Sequence, residues 1–195
     1  MPRTLLPRSF YNRSPKVVAR DLLGKIISHR YRGERLAGRI VEVEAYLGLT
    51  DPASHAFIGK TPRNAVLFGP PGVAYVYFIY GMHYCLNVSC LPDGEPGGVL
   101  FRALLPMEGL QTMARLRGLT ADAKPQQLTG GPGRLCEALG ISREAINGID
   151  LTRKSSQLGI FDDGSHPPNI EVTPRIGLTK AADRPLRFIV TGARK

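Results

Sequence analysis

The chain has no tryptophan, three cysteines, four histidines, and 16 acidic residues against 26 lysines and arginines in a length of 195. Each shortage excludes something. The cysteines, Cys85, Cys90 and Cys136, are odd in number, which argues against a disulfide framework. The histidines (His29, His55, His83 and His166) are scattered without zinc-ligand spacing, so no metal site is expected. The longest apolar run, Val73 to Tyr80, is eight residues, far below the roughly 20 that a membrane helix needs. Before Pro7 the longest apolar run is Leu5-Leu6, so no secretory leader is expected. Arg3, Arg8, Arg13 and Arg20 give residues 1–20 a presequence-like charge, but Pro2, Pro7 and Pro15 interrupt the amphipathic helix such a signal uses. Apolar types still make up 43% of the chain, and the length suits one domain over residues 1–195.

What the chain has in excess is positive charge, formally +10. Residues 1–35 hold nine Lys/Arg and two acids, and the stretch from Arg175 holds six Lys/Arg against Asp183 alone. Such a field attracts polyanions, nucleic acid foremost. A basic surface without a specific partner is the alternative that charge alone leaves open.

The pattern predicts a first helix opened by Ser14-Pro15, with Ser14 as cap, and closed at Gly24. A β-rich middle follows, with strands over 25–30, 37–47, 74–79, 83–90 and 99–104. Gly48 to Gly72 reads as a long loop, a feature that is usually functional. Helices are expected over 108–117 and 134–139, a polar, turn-rich stretch over 147–170, and a last strand over 186–190.

Within β-period alternation, Val41, Val43 and Ala45 share one strand face while Glu42, Glu44 and Tyr46 share the other. Same-face carboxylates are edge charges if that face is wet, or a general base if it lines a cleft. Arg102 lies among apolar same-face neighbours, Leu100 and Leu104, so it needs a partner, with Glu44 the obvious candidate. The hairpin around Tyr80-Gly81-Met82 carries bulky apolar groups where Asn, Asp or Gly are usual. The tip either folds back on the core or forms a wedge for a base step. Gly130-Gly131-Pro132-Gly133-Arg134 could turn backbone N–H groups to a phosphate. It matches no nucleotide fingerprint, and no cofactor is expected.

Taken together, Ile40 to Gly48, His55, Thr61-Pro62-Arg63-Asn64, Tyr75 to Met82, Leu86 to Ser89, Arg102-Ala103-Leu104 and Gly131 to Cys136 closely resemble the alkyladenine (3-methyladenine) DNA glycosylase family. The likeness resumes at Arg175-Ile176-Gly177 and Pro185 to Phe188. It implies a single mixed α/β (α+β) domain with a curved antiparallel sheet flanked by helices, a protruding hairpin, and excision of damaged purines from double-stranded DNA. By position, Glu44 is then the base that activates water, with Arg102 and the Ile176 carbonyl holding that water. Tyr46, His55 and Tyr77 form the base pocket, and Asn87 crowds the amino group of normal guanine. Tyr80, with Met82 beside it, fills the gap in the duplex. Thr61, Gly131 and Arg134 fall at phosphate contacts. His83 stands where vertebrate members have tyrosine.

The implied reaction leaves an abasic site without strand cleavage, since no lysine is placed beside Glu44. The expected protein is a monomer that uses no membrane. Its expected location is the cytoplasm and nucleoid of a bacterium, or the nucleus or an organelle of a eukaryote; the short ends favour the former. Two other readings compete: a non-catalytic module for bent or damaged DNA, and a carbohydrate glycosidase using Glu42 and Glu44 as its acid pair.

Overall fold

In a computed structural model, residues 3–167 and 169–192 are described. In chain order the elements are β1 (Thr4–Leu5), α1 (Arg8–Tyr11), α2 (Pro15–Leu22), β2 (Ile26–Tyr31), β3 (Glu34–Tyr46), β4 (Ala74–Ile79), β5 (His83–Ser89) and β6 (Gly98–Glu108). They continue with α3 (Leu110–Leu116), α4 (Pro125–Thr129), α5 (Pro132–Ala138), α6 (Arg143–Ile146), β7 (Leu158–Asp162), β8 (Ile170–Thr173) and β9 (Arg187–Val190). The strands form one curved antiparallel sheet in the order β1-β7-β2-β3-β6-β5-β4, with β9 and β8 attached to β3. This is the mixed α/β architecture expected, with helices against the sheet. No helix among the described residues is long and apolar enough to cross a membrane.

The sheet forks at β3, and the fork builds the site. One edge of β3 pairs with β2 over Glu34–Arg39 and then with β9 over Glu42–Glu44. The other edge pairs with β6 from Ala37 to Tyr46, but the register shifts on either side of Glu42. Val41 has no partner there, the signature of a bulge, which kinks a strand and re-aims its side chains. Strict alternation therefore fails at this point. Ile40, Val43 and Ala45 enter the core, whereas Val41 lines the same surface cavity as Glu42.

Core packing explains the rest of the frame. Val18, Ala19 and Leu22 of α2, and Leu135 and Cys136 of α5, are buried with Val43, Leu86, Val88 and Phe101 of the sheet. Each such large side chain removed from water contributes about 1.5–3 kcal/mol. Ser14 occupies the N-cap of α2 but makes no side-chain cap bond; Pro15 at the first position starts that helix. All three cysteines are buried and free.

The sequence pattern does not predict β1, α1, α4, α6, β7 or β8. The polar stretch 147–170 contains β7, which sits between β1 and β2 in the sheet. The Gly48–Gly72 loop is ordered around two short 3-10 turns, Gly48–Thr50 and Ala65–Phe68. It has its own small apolar cluster of Ala56, Leu67 and Tyr75. Gly48 makes the turn out of β3 with φ +67°, and a Cβ there would stand 1.8 Å from the Pro96 carbonyl oxygen, so only glycine fits.

Candidate active site

Glu44 lies on the C-terminal half of β3, between β6 and β9, and is 0% exposed. A carboxylate removed from water must be satisfied by donors. One oxygen accepts from the Tyr46 hydroxyl at 2.9 Å. The other accepts the Ile176 backbone N–H at 2.9 Å and lies 3.1 Å from an Arg102 guanidinium nitrogen. Arg102 also donates through Nε to Glu42 at 3.1 Å, and Arg187 reaches the same Glu42 oxygen at 3.1 Å. Arg102 thus joins both acids of the strand face. Ile176 meets the acid through its amide, where the expected contribution was its carbonyl.

Two cavities flank this acid, and Glu44 itself lines neither. The first, about 140 Å³, is walled by Tyr46, His55, Tyr75, Tyr77, Asn87 and Leu178. An apolar cavity of about 150 Å³ is known to take a benzene ring, so this space suits one flat aromatic group. The His55 and Tyr77 rings meet edge-on with centroids 4.5 Å apart, and Tyr75 lies 5.5 Å from Tyr77. His55 is an exposed residue at the mouth, its Nδ1 2.9 Å from the Tyr75 hydroxyl. Partial burial of its ring and the nearby Arg63 charge hold the imidazole below its usual pKa, so it is neutral at pH 7. Burial and the Glu44 charge push the Tyr46 hydroxyl well above its ordinary range, which keeps it a donor to that acid. Burial likewise raises Tyr77. The Asn87 amide donates to the Tyr75 carbonyl at 3.2 Å, fixing its side chain against the cavity.

The second cavity, about 310 Å³, is bounded by Glu42, Arg102, Lys124, Gln126, Gly131 and Ile176. Glu44 is therefore buried behind residues that line both an aromatic space and a charged one. It touches Tyr46 on the first side and Arg102 and Ile176 on the second. Lys124 is exposed on the charged side, and the cation in contact with Glu44 is Arg102.

The other expected residues fall around this centre. Tyr80 and Met82 are 80% and 68% exposed at the hairpin tip, so the tip does not fold back on the core. Tyr80 and Gly81 both adopt positive φ, +54° and +69°. That conformation costs a non-glycine residue roughly 1–2 kcal/mol. Below the tip, His83 Nδ1 lies 2.7 Å from Glu137 of α5, which also pairs with Arg117. A Cβ on Gly133 would meet the His83 ring at 3.0 Å, so hairpin and helix are closely fitted. Gly131 opens α5 beside the charged cavity, and Arg134 is exposed within its first turn. Thr61 belongs to the other loop, where buried Asn64 holds the Thr61 amide at 2.7 Å, the His55 carbonyl at 2.8 Å and the Gly59 carbonyl at 2.9 Å.

Sequence reasoning missed Asp51 and Arg175. They form a bidentate ion pair at 2.5 and 2.8 Å with both side chains 0% exposed. The Arg175 guanidinium carbon lies 4.6 Å over the Tyr46 ring. Asp51 was visible as the third acid in a stretch, Val41 to Gly59, that has no lysine or arginine. Its partner, more than 120 residues away in the chain, was not.

The sequence model of the methylpurine-DNA glycosylase family matches residues 9–194. A protein of Koribacter versatilis is 58% identical over 191 residues, covering 96% of this chain and 90% of its own length. One of Burkholderia cenocepacia is 48% identical over 194 residues, covering 99% and 91%. One of Methanoculleus marisnigri is 48% identical over 193 residues, covering 97% and 96%. All three are named "Putative 3-methyladenine DNA glycosylase".

Proposed function

The chain belongs to the methylpurine-DNA glycosylase family, and from that premise we propose that it flips an N-alkylated purine out of duplex DNA and hydrolyses its N-glycosidic bond with a water activated by Glu44. The observation that carries this reading is the bonding of buried Glu44 to both spaces, to Tyr46 of the aromatic cavity and to Arg102 and Ile176 of the charged one. The base enters the aromatic side and the sugar-phosphate lies on the charged side. The carboxylate then stands at the glycosidic bond that joins them.

A water oxygen, held by Glu44 and Arg102, attacks deoxyribose C1′ through an oxocarbenium-like transition state that the adjacent negative charge stabilises. The C1′–N bond breaks, its electron pair leaves with the purine, and Glu44 takes the water proton. The products are a free purine and an abasic sugar. N-alkylated purines carry positive charge. They are good leaving groups, and stacking on Tyr46 and Tyr77 adds about 0.5–2 kcal/mol of cation–π attraction. Neutral deaminated purines such as hypoxanthine lack both advantages and are excised more slowly. Taking a base out of the stack costs a few kcal/mol, and Tyr80 with Met82 beside it compensates by filling the gap. Asn87 at the cavity wall excludes the amino group of normal guanine. Thr61, Gly131 and Arg134 hold the phosphates. The reading requires no cofactor, and one chain on one duplex suffices.

Release of free purine from a methylated duplex, followed by chromatography of the supernatant, tests this directly. A DNA-binding module without catalysis would release none, and a carbohydrate glycosidase would ignore the duplex. Strand cleavage is expected to be absent, and borohydride should trap no covalent complex; trapping through Lys124 would refute the hydrolytic route.

A further inference from the structure

Asp51 and Arg175 lie outside every step above, yet their contacts reach each part of the centre. Arg175 donates to both Asp51 oxygens, to the Ala45 carbonyl at 3.0 Å, and to the Ala181 carbonyl at 3.4 Å. Ala45 is the β3 residue between the acid and Tyr46. Asp51 accepts in addition from the Leu47 amide at 3.1 Å and the Ala53 amide at 3.2 Å, which orders the loop leading to His55. The residue after Arg175 is Ile176, whose N–H is one of the donors to Glu44.

A buried ion pair is weak grounds for stability. The cost of stripping two charges of water offsets most of their attraction, and apolar residues of similar size often serve as well. What a planar guanidinium fork on a carboxylate does supply is a fixed position and orientation. Resting on the glycosylase reading, we propose that Asp51 and Arg175 are positioning residues. Their clamp sets the Ile176 amide on Glu44, and so aims the acid that activates water.

Two variants keep the fold testable. Arg175→Lys keeps the charge but loses the fork. The double substitution Asp51→Asn with Arg175→Met removes both charges, so that no ion is left buried alone. Single-turnover release of a methylated purine from duplex DNA should fall at least tenfold in both. The Kd for a duplex bearing a tetrahydrofuran abasic analogue should stay within threefold of the parental value, and the melting transition should stay cooperative. In a Glu44→Gln background neither change should slow the residual rate further, because the clamp acts through that acid. A rate within twofold of parental overturns the proposal. So does a rate that falls only in proportion to DNA affinity, which is what a merely structural pair would give.

Hydrogen exchange on the unaltered protein needs no variant. The Ile176 amide should be protected as strongly as amides within β3, and fast exchange there would also overturn the clamp. If the parental protein itself released no purine, the activity reading would fall, while the protection of Ile176 would still report on the clamp.

Discussion

The two cavities beside Glu44 differ in how their walls are made. The aromatic one is built from rings on β3, β4 and the ordered loop, with neutral hydroxyls and a neutral imidazole. No charged side chain lines it, although Arg175 and Arg63 stand behind its rings, 4.6 Å over Tyr46 and 5.9 Å over Tyr77. The other cavity has Arg102, Lys124 and the backbone at Gly131 on its walls, with Glu42 held between two arginines. One space suits selection by shape and stacking, the other suits attraction of a polyanion. On the proposed reading, damage recognition and DNA affinity should be separable by substitution, with Glu44 the element they share.

The largest expected effect falls on that shared element. Glu44→Gln should lower single-turnover excision by roughly 10²- to 10⁴-fold, the usual worth of general-base catalysis, with duplex binding nearly unchanged. Excision of 3-methyladenine at the parental rate would remove Glu44 from its role and leave the two cavities without a common purpose. Next comes the aromatic side. Tyr77→Ala should weaken binding of lesion-bearing duplex by about 1–3 kcal/mol, the stacking worth of one base, and leave undamaged duplex unaffected. Equal losses on both duplexes would erase the distinction between the cavities.

Tyr80→Ala should weaken lesion duplex by roughly tenfold, part of the few kcal/mol that unstacking costs. Damaged single strands, which have no stack to fill, should be affected less. On the charged side, Arg134→Ala should weaken damaged and undamaged duplex alike, and reduce the slope of log K against log salt by about one. A change confined to damaged DNA would place Arg134 in recognition.

The smallest effect is one of stability. Burial alone would raise the Asp51 pKa, but the Arg175 hydrogen bonds and the Leu47 amide outweigh it and hold it below the usual carboxylate value. Its contribution is therefore complete above the unfolded value of about 3.9 and is lost as pH falls through the lower folded value. Urea midpoints measured between pH 5 and 2 should decline more steeply for the parental protein than for the doubly neutral variant.

The strand-borne half of the site was legible in the sequence, because alternation places Glu42, Glu44 and Tyr46 on one face and marks Arg102 as a charge in need of a partner. The same rule misplaced Val41, since a bulge is a tertiary event where β3 exchanges β2 for β9. It also said nothing of β7, whose Leu158-Gly159-Ile160 core is short and set among turn residues. The loop-borne half was legible only through resemblance. His55 and Ile176 have no periodicity around them, and Asp51 and Arg175 find each other by folding across most of the chain. The exposed tip of the hairpin was readable as unusual. That Tyr80 shares the left-handed backbone with Gly81 was not, because propensity assigns such a conformation to glycine.

That conformation of Tyr80 has a consequence for the order of events in the proposed reaction. The penalty for holding a bulky residue at φ +54° is met when the protein folds, long before any duplex is encountered. A side chain already presented in free protein does not have to be organised during the short life of a collision. In the proposed reaction the hairpin backbone would then meet the duplex already set in the shape it needs.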